Sequence, residues 1–266
     1  MAVGTAAVLT DSGYVGQNDE HALESILDQA AAADSEVVAV LPLHSSWLTS
    51  SGATDKLVVQ VNGHGIPVAL VLEHRSDPLG TQVAVRGLVG FLHRSQVPVS
   101  VLSTDVSGVG ALAFGARWSA VGVRSALRHL YPVNKDGFSR APSLSAMIRP
   151  MLSIVTVTRI AEAWSQTRND DDWVHDIWTC SCSICNGRTL EWLAAASEIE
   201  VNAHTFEILA ELRDGVCGLP AGRIRERSWL SKCHVARFRY EELRLDLKVG
   251  WDPPGYLRGW AALWQP

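Results

Sequence analysis

At 266 residues, 47% of them hydrophobic and 19% charged, the chain can bury a large core as one big domain or as a domain with a lobe. A formal net charge of −5 and a pI of about 6.0 argue against a general polyanion binder. No uncharged apolar run reaches about 18 residues, which excludes a membrane-spanning helix. The opening MAVGTAAVLTDSG lacks the basic start of a secretory signal, so a cytoplasmic protein is expected.

The first 130 residues alternate regularly. Residues 5–10, 36–43, 66–73, 98–103 and 118–123 are short runs rich in Val, Ala and Leu, without period-two alternation, as in strands buried on both faces. Residues 20–33, 53–63, 79–94 and 106–115 read as helices between them. Repeated strand–helix units imply a parallel sheet, closed as a (β/α) barrel or open and doubly wound. Neither GxGxxG nor GxxxxGK[ST] follows any strand, which weakens the nucleotide-binding open sheet. Polar residues recur just past the strand ends instead: Asp11 and Ser12, His44, Glu73 and His74, Asp105, then Arg124, Arg128 and His129. Barrel enzymes build their catalytic face from such positions, although each residue alone also suits a helix cap or a turn.

Residues 131–172 are less regular, broken by Pro132, Gly137, Pro142 and Pro150, with a solvated turn expected at Asn169–Asp172. Cys180, Cys182 and Cys185 then fall within six residues, and His204 follows 19 positions later, ahead of an amphipathic helix read over 205–213. Three thiols on one turn and an imidazole from a separate element form the Cys3His set of structural zinc, with no position open for substrate. The alternative is free thiols, or a disulfide with one Cys left over. Residues 189–197 read as helix. Between 221 and 240, six cations (Arg223, Arg225, Arg227, Lys232, Arg237, Arg239) face one acid, Glu226, and Trp229, Phe238 and Tyr240 interleave with them. Such a stripe can grip phosphates and stack bases, or it can be an ordinary solvated strand or helix face. The tail carries Pro253-Pro254-Gly255 and three tryptophans. Two of them, Trp260 and Trp264, are spaced to share one face of a short terminal helix.

Two of these motifs resemble a family. Leu9-Thr10-Asp11-Ser12-Gly13-Tyr14 resembles the TDSGG(F/Y) segment of tRNA-guanine transglycosylases, and Cys180-x-Cys182-x2-Cys185 with His204 resembles their zinc site. The resemblance implies a TIM-type (β/α) barrel over residues 1–172, shortened at its start, and a zinc-bearing lobe with C-terminal helices over 173–266. It implies exchange of a purine for a deazapurine base at ribose C1′ in tRNA, as in queuosine formation, or in DNA as in some relatives. Breaking that bond develops oxocarbenium character, which one carboxylate can trap while another handles protons on the bases. On this resemblance Asp11 binds and deprotonates the incoming base, Ser12 and Gly13 shape the turn, and Glu73, with His74 beside it, stands where relatives read the base. The family's nucleophile lies in a segment resembling FDCVxPTR; the comparable stretch here, residues 119–125, holds no Asp. Asp105 is the substitute candidate, or else the cap of the helix after it. The resemblance also implies oligomers, homomeric or heteromeric, whose zinc lobes and basic stripe meet nucleic acid. The absent nucleophile leaves a non-catalytic, nucleic-acid-binding accessory subunit as the alternative.

Overall fold

The computed structural model describes residues 7–33, 37–132, 143–167, 172–246 and 251–265. The turn expected at Asn169–Asp172 lies almost wholly outside them. The first half runs β1 (Val8–Leu9), α1 (Glu20–Ala31), β2 (Val37–His44), α2 (Ser46–Thr49), α3 (Ser51–His64), β3 (Val68–Glu73), α4 (Gln82–Arg94), β4 (Val99–Thr104), α5 (Ser107–Ala113) and β5 (Ser119–Val121). Local chemistry sets the joins. Asp19 accepts the Ala22 N–H at 3.0 Å to start α1, Thr81 accepts the Ala84 N–H at 3.2 Å to start α4, and Gly65 closes α3 at φ 68°. The four-residue α2 is too short to show a helical period in the sequence.

All five strands are parallel and pair in chain order, β1-β2-β3-β4-β5. Unreversed order means every crossover winds the same way, so the helices gather on one side of a sheet curled into a half-barrel. Doubly wound sheets reverse direction at a switch point, and this sheet does not. Register separates the faces. Ala39, Leu41 and Leu43 align with Val68, Leu70 and Leu72, and all six join the main core under the helices. Val40, Pro42 and His44 align with Ala69, Val71 and Glu73 on the opposite, concave face. Apolar residues thus fill both faces until the last row, where His44 and Glu73 stand side by side. A complete barrel is not seen among the described residues.

The second half holds an antiparallel hairpin, β6 (Ser145–Ile148) and β7 (Ser153–Thr156), then α6 (Val157–Gln166), α7 (Asp172–Trp178), α8 (Glu198–Cys217), α9 (Arg223–Asp246) and α10 (Gly255–Ala261). Residues 189–197 form no α-helix; a short 3-10 stretch, Leu190–Ala194, takes their place. The hairpin escaped sequence reading because Arg149-Pro150 at its turn resembles a breaker. α8 packs on β6 and α5, and α10 packs on α4 and α9. Residues of both halves therefore share one continuous core. Among the described residues no helix is long and apolar enough to cross a membrane.

α4 crosses α2 at a close backbone approach. A Cβ on Gly87 would lie 1.9 Å from the Leu48 carbonyl oxygen, a contact only backbone movement relieves. Gly87→Ala is expected to destabilise the protein by about 2 kcal/mol or more in urea unfolding, despite Ala's better helix propensity; an unchanged midpoint would contradict this packing.

Candidate metal centre and strand-end site

Cys180, Cys182, Cys185 and His204 meet in the interior, their ligand atoms all within 4.8 Å of one another. The three sulfurs lie 3.7, 3.4 and 3.3 Å from His204 Nδ1. A tetrahedral ion with usual thiolate and imidazole bond lengths requires about 3.6 Å there. All five thiols of the chain are free, so no disulfide competes. The backbone shapes the ligand turn: Cys185 N–H donates to Cys182 Sγ at 3.3 Å, Gly187 N–H to the Cys180 carbonyl at 2.9 Å, and Asn186 and Gly187 take φ of 50° and 82°. Glu207 on α8 accepts from both Ser183 N–H and its hydroxyl at 2.6 Å, tying this turn to the helix that brings His204.

His204 sits inside α8 rather than ahead of a helix, because a capping box of Ser197 and Glu200 starts α8 earlier than periodicity alone suggested. Its Nε2 donates to the Met147 carbonyl at 2.9 Å, which leaves Nδ1 as the lone-pair donor facing the sulfurs. Its neighbour Thr205 accepts the Met147 N–H at 3.2 Å, so two successive α8 side chains satisfy one peptide edge of β6. Crowded, buried thiols resist becoming thiolates together. Donation to Cys185 and then burial push Cys180 up to about 12, and burial raises Cys182, while the Cys180 hydrogen bond lowers Cys185. A divalent cation supplies the charge that lets all three ionise. The donor set, distances and burial fit a metal such as zinc.

The strand ends carry the second site. After β1, residues 11–14 loop out of the sheet and the chain rejoins it at Val15, which pairs with Leu43. Thr10 Oγ1 anchors the loop by accepting Val40 N–H at 2.9 Å and sharing a 2.7 Å bond with Ser12. Tyr14 then donates its hydroxyl to Glu73 in a short bond, drawing the loop to the last row of the concave face. His44 and His74 each use Nδ1 to hold the following turn, accepting Ser46 N–H at 3.1 Å and Asp77 N–H at 2.9 Å. His129 is buried, its Nε2 has no partner among the described residues, and its ring packs against Tyr131 with centroids 4.1 Å apart and planes tilted by 40°. Burial, then the nearby charges of His74 and Arg128, push its pKa down to about 4. Asp11, Ser12 and Gly13 line a groove of about 520 Å³ beside α1, and the Asp11 carboxyl makes no protein hydrogen bond there among the described residues.

Asp105 belongs to a neighbouring cluster rather than to the Asp11 loop. It accepts Ser107 N–H at 2.7 Å and so fixes the turn into α5 from one position ahead of the cap, Val106, rather than capping the helix itself. Some of its surface reaches solvent, yet its carboxyl is closely walled in; burial and then the Asp77 charge raise it to about 7. Burial raises Asp77 too, although Tyr256 N–H at 2.7 Å and Leu79 N–H at 3.0 Å hold its carboxyl. Sequence reasoning missed Asp77 and Tyr256, whose partnership spans 179 positions.

The basic stripe is redistributed. It is one helix, α9, whose buried face carries Trp229, Cys233, Ala236, Tyr240 and Leu243. Trp229 and Tyr240 therefore pack inward and are unavailable for stacking. Arg225 closes the end of α8 by donating to the Cys217 and Leu219 carbonyls, and Arg239 pairs with Glu242. Arg237 meets Glu241 at 3.4 Å. Arg223, Arg227 and Lys232 are exposed and pair with no acid among the described residues.

The comparisons return no match. No family model, curated protein or solved structure resembles the chain closely enough to name its family.

Purified protein is expected to carry one tightly held divalent metal per chain, and a cobalt-substituted form to show tetrahedral thiolate bands. His204→Ala should abolish those bands; their survival would remove His204 from the ligand set. For Asp105 the folded pKa is raised, so the folded state keeps a proton that the unfolded chain loses. Stability is therefore expected to fall as pH rises from about 4 to about 7, and to level off above. Asp105→Asn should flatten that slope in denaturant titrations.

Proposed function

We propose that the chain is a transglycosylase-like protein that exchanges a purine for a deazapurine base at ribose C1′ of tRNA or DNA. Zinc in the Cys3His set serves it as a structural ion. The observation that carries the reading is Asp105, a carboxyl raised to about 7 at the C-terminal edge of a sheet wound in barrel order. A group that gains and loses a proton near neutrality suits proton transfer to a departing base and from an arriving one. The Tyr14–Glu73 bond supports the same reading, since it brings the Asp11 loop to the strand ends where His44 and His129 gather. In this scheme Asp11 binds the incoming base, Ser12 and Gly13 shape its loop, Glu73 and His74 border the base, and Asp105 handles the proton or traps the sugar. Zinc, held by Cys180, Cys182, Cys185 and His204, supplies rigidity, because four protein ligands leave it no substrate position.

A second reading has its own observation. Asp105 fixes the turn into α5 and faces Asp77 rather than the Asp11 loop, which is what a non-catalytic accessory subunit of the same fold would show.

Labelled guanine and a deazaguanine, offered with bulk tRNA and separately with duplex DNA, test both. Incorporation by the metal-loaded chain is expected, with Asp11→Asn and Asp105→Asn each lowering it about 100-fold while retaining metal. Incorporation that appears only after a partner is added would establish the accessory reading; none under either condition would end both.

A further inference from the structure

The four metal ligands are sealed to different depths. Cys185 and His204 are 0% exposed and Cys182 is 2% exposed, whereas Cys180 reaches 7%. A cleft beside the centre explains the difference. It holds about 270 Å³ between α7, the hairpin turn and α8, and Cys180 and His204 form part of its wall while Cys182 and Cys185 do not. Ile177, Leu190 and Ile208 line it, and the exposed Thr179 and Ser181 stand at its rim on either side of Cys180. A water molecule fills only about 30 Å³, so small solutes fit easily. The base-exchange reading uses no residue of this cleft apart from the metal ligands themselves.

His204 borders the cleft with both ring nitrogens engaged, Nε2 on Met147 and Nδ1 toward the sulfurs. Cys180 is thus the ligand that a small solute can approach, and its sulfur is also the one farthest from Nδ1, at 3.7 Å against 3.4 and 3.3 Å. Sulfur oxidation follows thiolate character and access, and a cysteine ligand on a cation has the first while the cleft supplies the second. A second thiol stands ready. All four ligand atoms lie within 4.8 Å of one another. Cys180 N–H donates to the Arg188 carbonyl at 3.1 Å and Gly187 N–H to the Cys180 carbonyl at 2.9 Å, which sets Cys180 against the returning limb of the turn. Cys185 faces it there, and the two thiols share a hydrogen bond.

We propose that Cys180 is a modification site, at which hydrogen peroxide entering the cleft oxidises the metal centre to a Cys180–Cys185 disulfide and so releases the ion. The Cys180 sulfur attacks one peroxide oxygen; the O–O bond breaks, hydroxide leaves and takes a proton to become water, and Cys180 is left as a sulfenic acid. The Cys185 sulfur then attacks the Cys180 sulfur; the S–O bond breaks, and a second hydroxide leaves and is protonated to water. Each sulfur has given up one electron and the peroxide has been reduced to two waters. Cys182 and His204 remain as donors, too few for the closed set that a structural ion needs. Neither step uses a strand-end residue, so the proposal is independent of base exchange and rests on metal occupancy alone.

The test treats the full zinc-loaded chain with hydrogen peroxide while a chromophoric chelator reads free zinc. A 1,3-diketone probe traps sulfenic acid, and differential alkylation with mass spectrometry follows each thiol. Zinc is expected to leave at a rate that rises with peroxide concentration, with the diketone on Cys180 and, in its absence, a Cys180–Cys185 disulfide. A dithiol reductant with added zinc should restore the loaded form. Thr179→Phe, which narrows the cleft at its exposed rim, should keep its zinc and slow release about 5-fold or more. Val59→Phe, on the exposed outer side of α3, should change it less than about two-fold. Release at a rate independent of peroxide, diketone on Cys182 or Cys185 instead, a disulfide that omits Cys180, release unchanged in Thr179→Phe, or a chain that holds no metal would each overturn the proposal. Should Thr179→Phe lose its zinc, the trapping and disulfide map of the unaltered chain decide the question.

Discussion

His204 answers to two demands at once, and the second half of the molecule depends on both. Its Nδ1 faces three sulfurs, while its Nε2 holds the Met147 carbonyl of the hairpin. A neutral imidazole has one lone pair and one proton, so fixing either end fixes the other. The hydrogen bond to β6 thus selects the tautomer that can ligate, and an ion at Nδ1 would in turn hold the ring for β6. Thr205, one residue on, accepts from the same Met147 peptide, so α8 cannot rotate to free one contact without losing the other. Through α8, which also packs on α5, the cysteine turn is registered against the sheet.

The sheet reaches its own order by a simpler route. Strands laid down in sequence, with crossovers of one hand, place every helix on one side. Apolar side chains then serve both faces along most of the strand bodies, Ser100 of β4 excepted, and the charged groups and imidazoles gather at the C-terminal ends, where the chain leaves the sheet. Two distinct polar clusters result. Tyr14, His44, Glu73 and His129 belong to the mouth of the concave face; Asp77, Asp105 and Tyr256 lie where α10 meets the loops after β3 and β4. The separation follows from side-chain direction. His44 and Glu73 are strand residues on the concave side, whereas Asp77 and Asp105 belong to the loops that turn back toward the helices.

How much of this was legible depended on how local each signal was. The strands lie within three residues of where the Val/Ala/Leu runs placed them, but burial on both faces holds only for the middle three, β2 to β4; Val8 and Leu9 of β1 are about half exposed and β5 is partly so. The cysteine turn was legible because three thiols in six residues leave few options, and His204 does meet them in one buried cluster that could hold a metal. Its place inside α8 was hidden, since Ser197 and Glu200 act as a capping box across three positions and lie outside the apolar period that marks the helix body. The α9 stripe misled for a related reason. Arg223, Arg225 and Arg227 alternate as in a strand, yet Trp229, Cys233, Ala236, Tyr240 and Leu243 carry a helical period through the same segment. Long-range partners such as Asp77 and Tyr256 left no trace in either pattern.

Asp105 shows why position alone does not assign a role at a strand end. Holding the turn into α5 requires an acceptor, and an ionised carboxylate is the stronger one, so the Ser107 N–H favours loss of the proton. Burial and the Asp77 carboxyl favour its retention, and they prevail, since the group titrates near 7. A residue kept only to hold that turn would gain from an exposed setting, where Asp ionises freely and accepts most strongly. Placing a second carboxyl beside it weakens the contact across the acid range and yields, in exchange, a proton that moves near neutral pH. Asn would accept the same N–H without either burden. That this chain carries Asp in so costly a setting is the strongest physical reason to look for a reaction at this edge of the sheet.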